Sequence, residues 1–545
     1  MDPKRLPAGS GGRGPWTVSE NSGKADVMSL VRNTAVQASL TFASRILGFA
    51  RDIILAAKIG AGPVGDAWAT AQQFPNLFRR IFAEGAFASA FVPTYARTLE
   101  AEGPDAAHAV AEDALKVLFA ATAALTILAQ IFMPWVLLVI HGGQADDPQH
   151  YNLAVLLTRI TMPYLSFMAI AALLSGVLNS LERFILSAGA PTLLNISLIP
   201  AGLLGTTPEI TTLYAAIAFF IAGLLQAGVL WWGATRQNVK LSLIGWPRLT
   251  PAVKKVLKLA VPGTIAASGT QINIIVSQSL ASFEVGAKSW LYAADRLYQL
   301  PLGLVGVAVG VAILPRLSRA ARAGDTAAGA RTMDEGLGLA MALTFPAAAG
   351  LMIAPVYLID AFFVRGAFLA SDAAAAGAAL FHFAWGVPAF VLIKVLAPPF
   401  FAREDTKTPM RFALVSVALN TLLGAGLFFW LKQSGADGFP GLAIATSTAA
   451  WVNAGLLALT LKQRGWYRPG ARLAAGLTRA ALATTILSAG IWLMLWQQPA
   501  IKDALYGSRS LAATATVLAA AVIYGAAALI TGALRINDVR QALRR

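Results

Sequence analysis

The stretch ASRILGFARD, Ala43 to Asp52, places Arg45, Arg51 and Asp52 inside a run otherwise apolar enough to enter a bilayer. The same anomaly recurs further along. GDAWATAQQFPNLFRRIFAEGAFASAFVP carries Asp66 near one end and Arg79, Arg80 and Glu84 deep inside. WLYAADRLYQLP brings adjacent Asp295 and Arg296, and VLIKVLAPP isolates Lys394. An ionised side chain at mid-bilayer costs about 2.5 to 3.5 kcal/mol on insertion scales, so its place is a bundle interior or a wet cavity. Some of these charges can neutralise one another: Arg80 and Glu84 are i,i+4, and Arg45 could pair with Asp52 while Arg51 reaches out to water. Cations still outnumber anions, and an excess of positive charge in a low dielectric demands an anionic partner. Arginine suits phosphate, because its planar fork donates two parallel hydrogen bonds and stays charged when desolvated. Arg45, Arg51 and Arg296 are therefore the first candidates for binding a phosphate-bearing substrate, with Arg79 and Lys394 behind them.

The elements that hold these charges are helices in a membrane. Of the 545 residues 57% are hydrophobic and only 13% charged, and the mean hydropathy is +0.63. Runs of about 20 apolar residues, the length a helix needs to cross the hydrocarbon, recur along nearly the whole chain. This predicts an all-α polytopic membrane protein with about fourteen transmembrane helices. On the first of them Ser44, Gly48 and Arg51 share one face, with Arg45 and Asp52 on a neighbouring one. Connectors after even-numbered spans are rich in Lys and Arg and the others nearly bare, with only a stray Lys288, Arg365, Lys432, Lys502 or Arg509, so both termini are expected in the cytoplasm and HGGQADDPQHYN outside. A weak repeat pairs Trp68 with Trp290, Ala71 with Ala293, Pro93 with Pro315 and Arg97 with Arg319, each 222 residues apart. Such duplication is the mark of transporters built from paired bundles. It divides the chain into an N-lobe over 28–245 (helices 1 to 6), a C-lobe over 246–470 (helices 7 to 12) and two further helices with a basic tail over 471–545. Residues 1–27, rich in Gly, Pro and Ser, read as a disordered polar tail.

Other chemistries find no support. There is no cysteine, four histidines are scattered without ligand spacing, and no Walker loop or nucleophile elbow is present. No metal or cofactor is expected. The net charge of +16 falls where topology wants it, in the cytoplasmic connectors, which argues against a nucleic-acid partner. A cation-coupled drug exporter would want an acidic, aromatic cavity, and a scaffold would need no buried charge at all.

SRILGFARD, FPNLFRRIFAEGAFASAFVP, APTLLNIS at 190–197, YAADRLYQLPLGLVGVA at 292–308 and KVLAPPFFAREDTKTP at 394–409 together resemble the MurJ (MviN) lipid II flippases of bacterial peptidoglycan synthesis. The resemblance implies the multidrug/oligosaccharidyl-lipid/polysaccharide exporter fold: two six-helix lobes around a central cavity, then two helices forming a groove for a lipid tail. It implies that Ser44, Arg45, Arg51, Asp66, Arg79, Ser289 and Arg296 occupy functional cavity positions. Asp52, Asp66, Glu84 and Asp295 would be cavity or gating acids, and Lys394 the intramembrane lysine. The partners implied are lipid II (the undecaprenyl-pyrophosphate-linked disaccharide-peptide), membrane lipids, and cell-wall synthesis and division proteins. The location is the bacterial inner membrane, and the energy source the membrane potential or a monovalent cation, with no ion site assigned. Gln299 stands where some relatives have an acid, so no acidic role is carried to it.

Overall fold

The computed structural model describes residues 20–80, 86–303 and 307–533. In chain order the helices are α1 (Glu20–Ile59), α2 (Pro63–Arg79), α3 (Ala86–Glu102), α4 (Pro104–His141), α5 (Pro148–Thr161), α6 (Tyr164–Ser180), α7 (Phe184–Gly189), α8 (Thr192–Leu204) and α9 (Pro208–Arg236). They continue with α10 (Pro251–Ala281), α11 (Ala287–Pro301), α12 (Val307–Arg322), α13 (Thr326–Ile353), α14 (Pro355–Phe363), α15 (Ala370–Ala384), α16 (Val387–Leu396), α17 (Pro398–Phe401), α18 (Lys407–Gln433) and α19 (Phe439–Gln463). The last are α20 (Ala471–Trp496), α21 (Gln498–Ala504) and α22 (Arg509–Ile530). Glu84 and residues 1–19 of the 1–27 tail lie outside the described residues, whereas residues 20–27, expected to be disordered, form the start of α1.

Local chemistry sets the helix ends. Proline stands in the first turn of α4, α5, α9 and α10, where its missing N–H costs nothing. Thr207, Thr250, Asp325 and Ser508 each accept a hydrogen bond from the backbone N–H three residues on, satisfying donors that the helix leaves free. Pro163 parts α5 from α6, and Pro388 sits in the first turn of α16 after the break at Trp385 and Gly386.

Among the described residues ten helical segments are long and apolar enough to cross a membrane. That test of length and composition thus admits ten spans where the pattern suggested about fourteen. The strongly charged segments at 20–59 and 63–102 are not among the ten.

One buried cluster unites Leu55 to Ala260, and a second runs from Leu280 to Ala443. These are the cores of two lobes. The first turns of α10 belong to the first cluster through Val253, Val256 and Ala260, and α10 packs on α3 and α4 as well as on α18. Beyond the second lobe α20 packs on α13, and α22 on α20 and α14. The repeat is visible in the backbone: α2 and α11 end at Arg79 and Pro301, 222 residues apart, and Pro93 in α3 matches Pro315 in α12 at the same offset.

Candidate functional site

Five residues from three helices meet where α1, α8 and α11 converge. Asp52 is the hub. Arg51 donates to Asp52 Oδ1 from Nε at 2.9 Å and from Nη2 at 2.6 Å, and its Nη1 donates to Asn195 Oδ1 at 2.9 Å. Asn195, on α8, returns a bond from Nδ2 to the backbone oxygen of Ser44 at 2.9 Å. Ser44, Gly48 and Arg51 thus share a face, as helical spacing requires, and that face lies against Asn195. From the opposite lobe Arg296 Nε comes within 3.1 Å of Asp52 Oδ2, an ion pair without the alignment of a hydrogen bond. Arg296 Nη2 donates to the Tyr292 hydroxyl at 2.7 Å, which donates to Asp52 Oδ1 at 3.2 Å.

The pairing differs from the simplest expectation. Asp52 holds Arg51 and Arg296, not Arg45, and Arg51 is buried at 7% exposure instead of reaching for water. Arg51 and Arg296 therefore come together around a carboxylate the chain supplies itself. They share the carboxylate of Asp52, and a second acid, Asp295, stands next to Arg296 on the cavity wall. Arg296 keeps 34% of its side-chain surface open and lines a cavity. Arg45 lies six residues from Arg51, or about 9 Å along the axis. It is exposed, and its guanidinium abuts Gly303, where a Cβ would collide with it.

The cavity, of about 380 Å³, lies between α2 of one lobe and α10 and α11 of the other. Its wall is rich in carboxamides: Gln72, Gln73 and Asn76 from α2, Gln271, Asn273 and Gln278 from α10, and Gln299 from α11. Carboxamides offer both donors and acceptors, which suits sugar hydroxyls, acetamido groups and peptide bonds. Asp295 and Arg80 are also on the wall. Arg79 instead donates from Nε to Asn76 Oδ1 at 3.0 Å, so at this level the cavity presents Arg80. Lys394 is exposed on α16 and has no ion pair among the described residues.

Toward the ends of the helices marked by Gly60 and Gly286 the space narrows to a void of about 40 Å³ between Asp52 and Ser289. Beyond it the lobes are stitched together. Asp66, fully buried, accepts from Gln144 Nε2 at 2.9 Å, from Gly286 N at 2.7 Å, and from the Ser289 N and Oγ at 3.1 and 3.0 Å. An acid of α2 thus caps the free N–H groups that open α11. Gly143 N donates to Ser282 Oγ at 3.0 Å and Ala367 N to Ala57 O at 2.8 Å. At Gly143 a Cβ would stand 2.5 Å from the backbone of Ser282 and Phe283, so only glycine allows this approach. Lys288, which in sequence looked like a stray charge in a bare connector, is wholly buried in the same seam. Asn195 and the carboxamide belt are missed by looking for charge alone, although Asn195 stands inside the APTLLNIS motif.

The family model described as "Lipid II flippase MurJ" matches residues 55–507. The chain belongs to the MurJ family. Relatives named "Probable lipid II flippase MurJ" include that of Rhizobium tropici, 39% identical over 95% of this chain and 97% of its own. The "Lipid II flippase MurJ" of Burkholderia cenocepacia is 36% identical over 81% and 86%. Among solved structures, a "Lipid II flippase MurJ, inward closed conformation" superposes with a TM-score of 0.74 at 24% identity, covering 91% of this chain and 98% of that one. An inward-facing MATE transporter of the MOP superfamily gives 0.63 at 14%, covering 79% and 97%. These likenesses show that this MurJ-family membrane protein shares the fold of those two structures.

Proposed function

We propose that the chain is a transporter, a flippase that carries lipid II from the cytoplasmic to the outer leaflet of the bacterial inner membrane by alternating access. The observation that carries this reading is a polar, net-positive cavity between two lobes that are closed at one end by buried hydrogen bonds. The pyrophosphate binds Arg296 and Arg45, with Arg51 behind them. The disaccharide-peptide lies along the carboxamide wall, and the undecaprenyl tail stays in lipid beside α20 and α22. Rocking of the lobes then breaks the seam at Asp66 and exposes the headgroup on the other side. The driving force is the membrane potential or a monovalent cation. A drug exporter on the same fold is disfavoured by the sign of the charge in the cavity.

Depleting the protein in its host should make lipid II accumulate on the cytoplasmic leaflet, and an unchanged leaflet distribution contradicts the proposal. Orientation is tested separately, because the chain has no cysteine. Asp146 and Lys240 both lie exposed, near opposite ends of the bundle. A membrane-impermeant thiol reagent outside the cell should label Asp146→Cys and spare Lys240→Cys; the reverse pattern inverts the topology.

A further inference from the structure

The seam between the lobes holds a buried cation that lipid binding does not use. Lys288 is fully buried, and its ammonium donates to Thr70 Oγ1, to the Ile140 carbonyl and to His141 Nδ1, each at 2.8 Å. All three partners belong to the opposite lobe. An ammonium can only donate, so His141 Nδ1 accepts and the ring proton sits on Nε2. Asp66 makes the converse reach, from α2 into the first turn of α11. The two residues are 222 apart and so occupy the same position in the two copies of the repeat. An acid crosses one way and a base the other, side by side.

We propose that Lys288 is a positioning residue for translocation, the C-lobe arm of a two-armed latch whose N-lobe arm is Asp66, and that this end opens only when both arms withdraw together. The proposal rests on the alternating-access reading above. Its physical basis is the burial of both charges: pulling either arm out leaves the other an uncompensated ion in a dry seam, which is far costlier than removing the pair. The latch is therefore cooperative.

The test uses a single cysteine at Ala69, which is 3% exposed and lines the void beneath the seam. An impermeant maleimide applied from the latch side should label the resting parent slowly. Lys288→Met should speed labelling at least tenfold, because a charged donor and its three hydrogen bonds across the seam are lost, and Asp66→Asn should speed it as well. The double variant should be no faster than roughly twice the faster single, because coupled sites are not additive. His141→Gln retains an acceptor and should behave like the parent, whereas His141→Leu should label fast. Parental labelling rates in a folded Lys288→Met variant, or effects of Asp66 and Lys288 that simply multiply, overturn the latch. If Lys288→Met does not insert, the His141 pair decides: equal rates for Gln and Leu overturn it. Labelling of the parent while lipid II is supplied separates the two readings. A parent never labelled from that side overturns alternating access and the latch with it. A parent labelled during turnover beside an unaffected Lys288→Met overturns the latch alone.

Discussion

Arg296→Ala is expected to abolish lipid II translocation while the protein still folds and inserts. Arg296 faces the cavity from α11, where Tyr292 and Asp52 hold it in place. Removing it deletes the charge that the proposed pyrophosphate meets first, a loss of roughly 10- to 100-fold in binding from hydrogen bonds to a charged group alone. Arg296→Lys should recover only part of this, since an ammonium cannot reproduce the parallel fork on phosphate oxygens or the contact that places Arg296 Cζ 4.4 Å from the Tyr292 ring centre. Lipid II binding to purified variants and complementation of a strain lacking any other flippase measure the two effects. Full complementation by Arg296→Lys would reduce this arginine to a point charge. Asp52→Asn adds a sharper contrast. It leaves Arg51 and Arg296 facing each other without their shared carboxylate, at a cost of about 3 to 5 kcal/mol for a broken buried pair. Its melting temperature should therefore fall, and a pyrophosphate-bearing lipid should raise that temperature more than it does in the parent, because the ligand then replaces the missing anion.

The second large effect is expected at Asp66. Alanine there removes every bond the carboxylate makes, including those to Gly286 and Ser289 across the lobes, and leaves the buried Lys288 without its nearby counter-charge. The resting balance should swing toward a state open at that end by on the order of a hundredfold, since several hydrogen bonds to a charged acceptor are lost together. Spin labels on Asp146→Cys and Asp437→Cys, exposed positions near the seam on opposite lobes, read this directly. The distance between them should lengthen in Asp66→Ala without any substrate. An unchanged distance distribution would mean that the other stitches, at Gly143 and Ala367, suffice to hold the lobes.

Much of this architecture was legible in the residues, for a physical reason. The hydrocarbon forces each span into a helix of known length and makes every intramembrane charge conspicuous, so Arg45, Arg51, Arg296 and Asp66 announced themselves. Which charges touch was not legible. Helical spacing put Arg45 and Asp52 on one face, yet the structure pairs Asp52 with its neighbour Arg51 and with Arg296, 244 residues away. Partners across lobes depend on packing, and no local periodicity reports it. Lys288 misled for a related reason: a lysine in a short connector looks like a solvated charge unless the opposite lobe is seen to close over it. The carboxamide belt is uncharged and spread over three helices, so neither a charge count nor a motif collects Gln72, Gln271 and Gln299 into one wall. The repeat was the exception. Its offset of 222 residues, visible from a few matched residues, recurs in the ends of α2 and α11 and in the opposed arms of the seam.

The central claim is that the cavity moves a pyrophosphate-linked lipid, and liposomes containing the purified protein test it most directly. Lipid II is placed in the inner leaflet, and the headgroup reaching the outside is counted with an impermeant reagent. The account predicts that the parent exposes lipid II at a rate well above protein-free liposomes, that Arg296→Ala does not, and that a prenyl lipid with the same sugars but no pyrophosphate is left behind. Equal movement of the lipid with and without pyrophosphate, or no movement of lipid II by the parent, would contradict it.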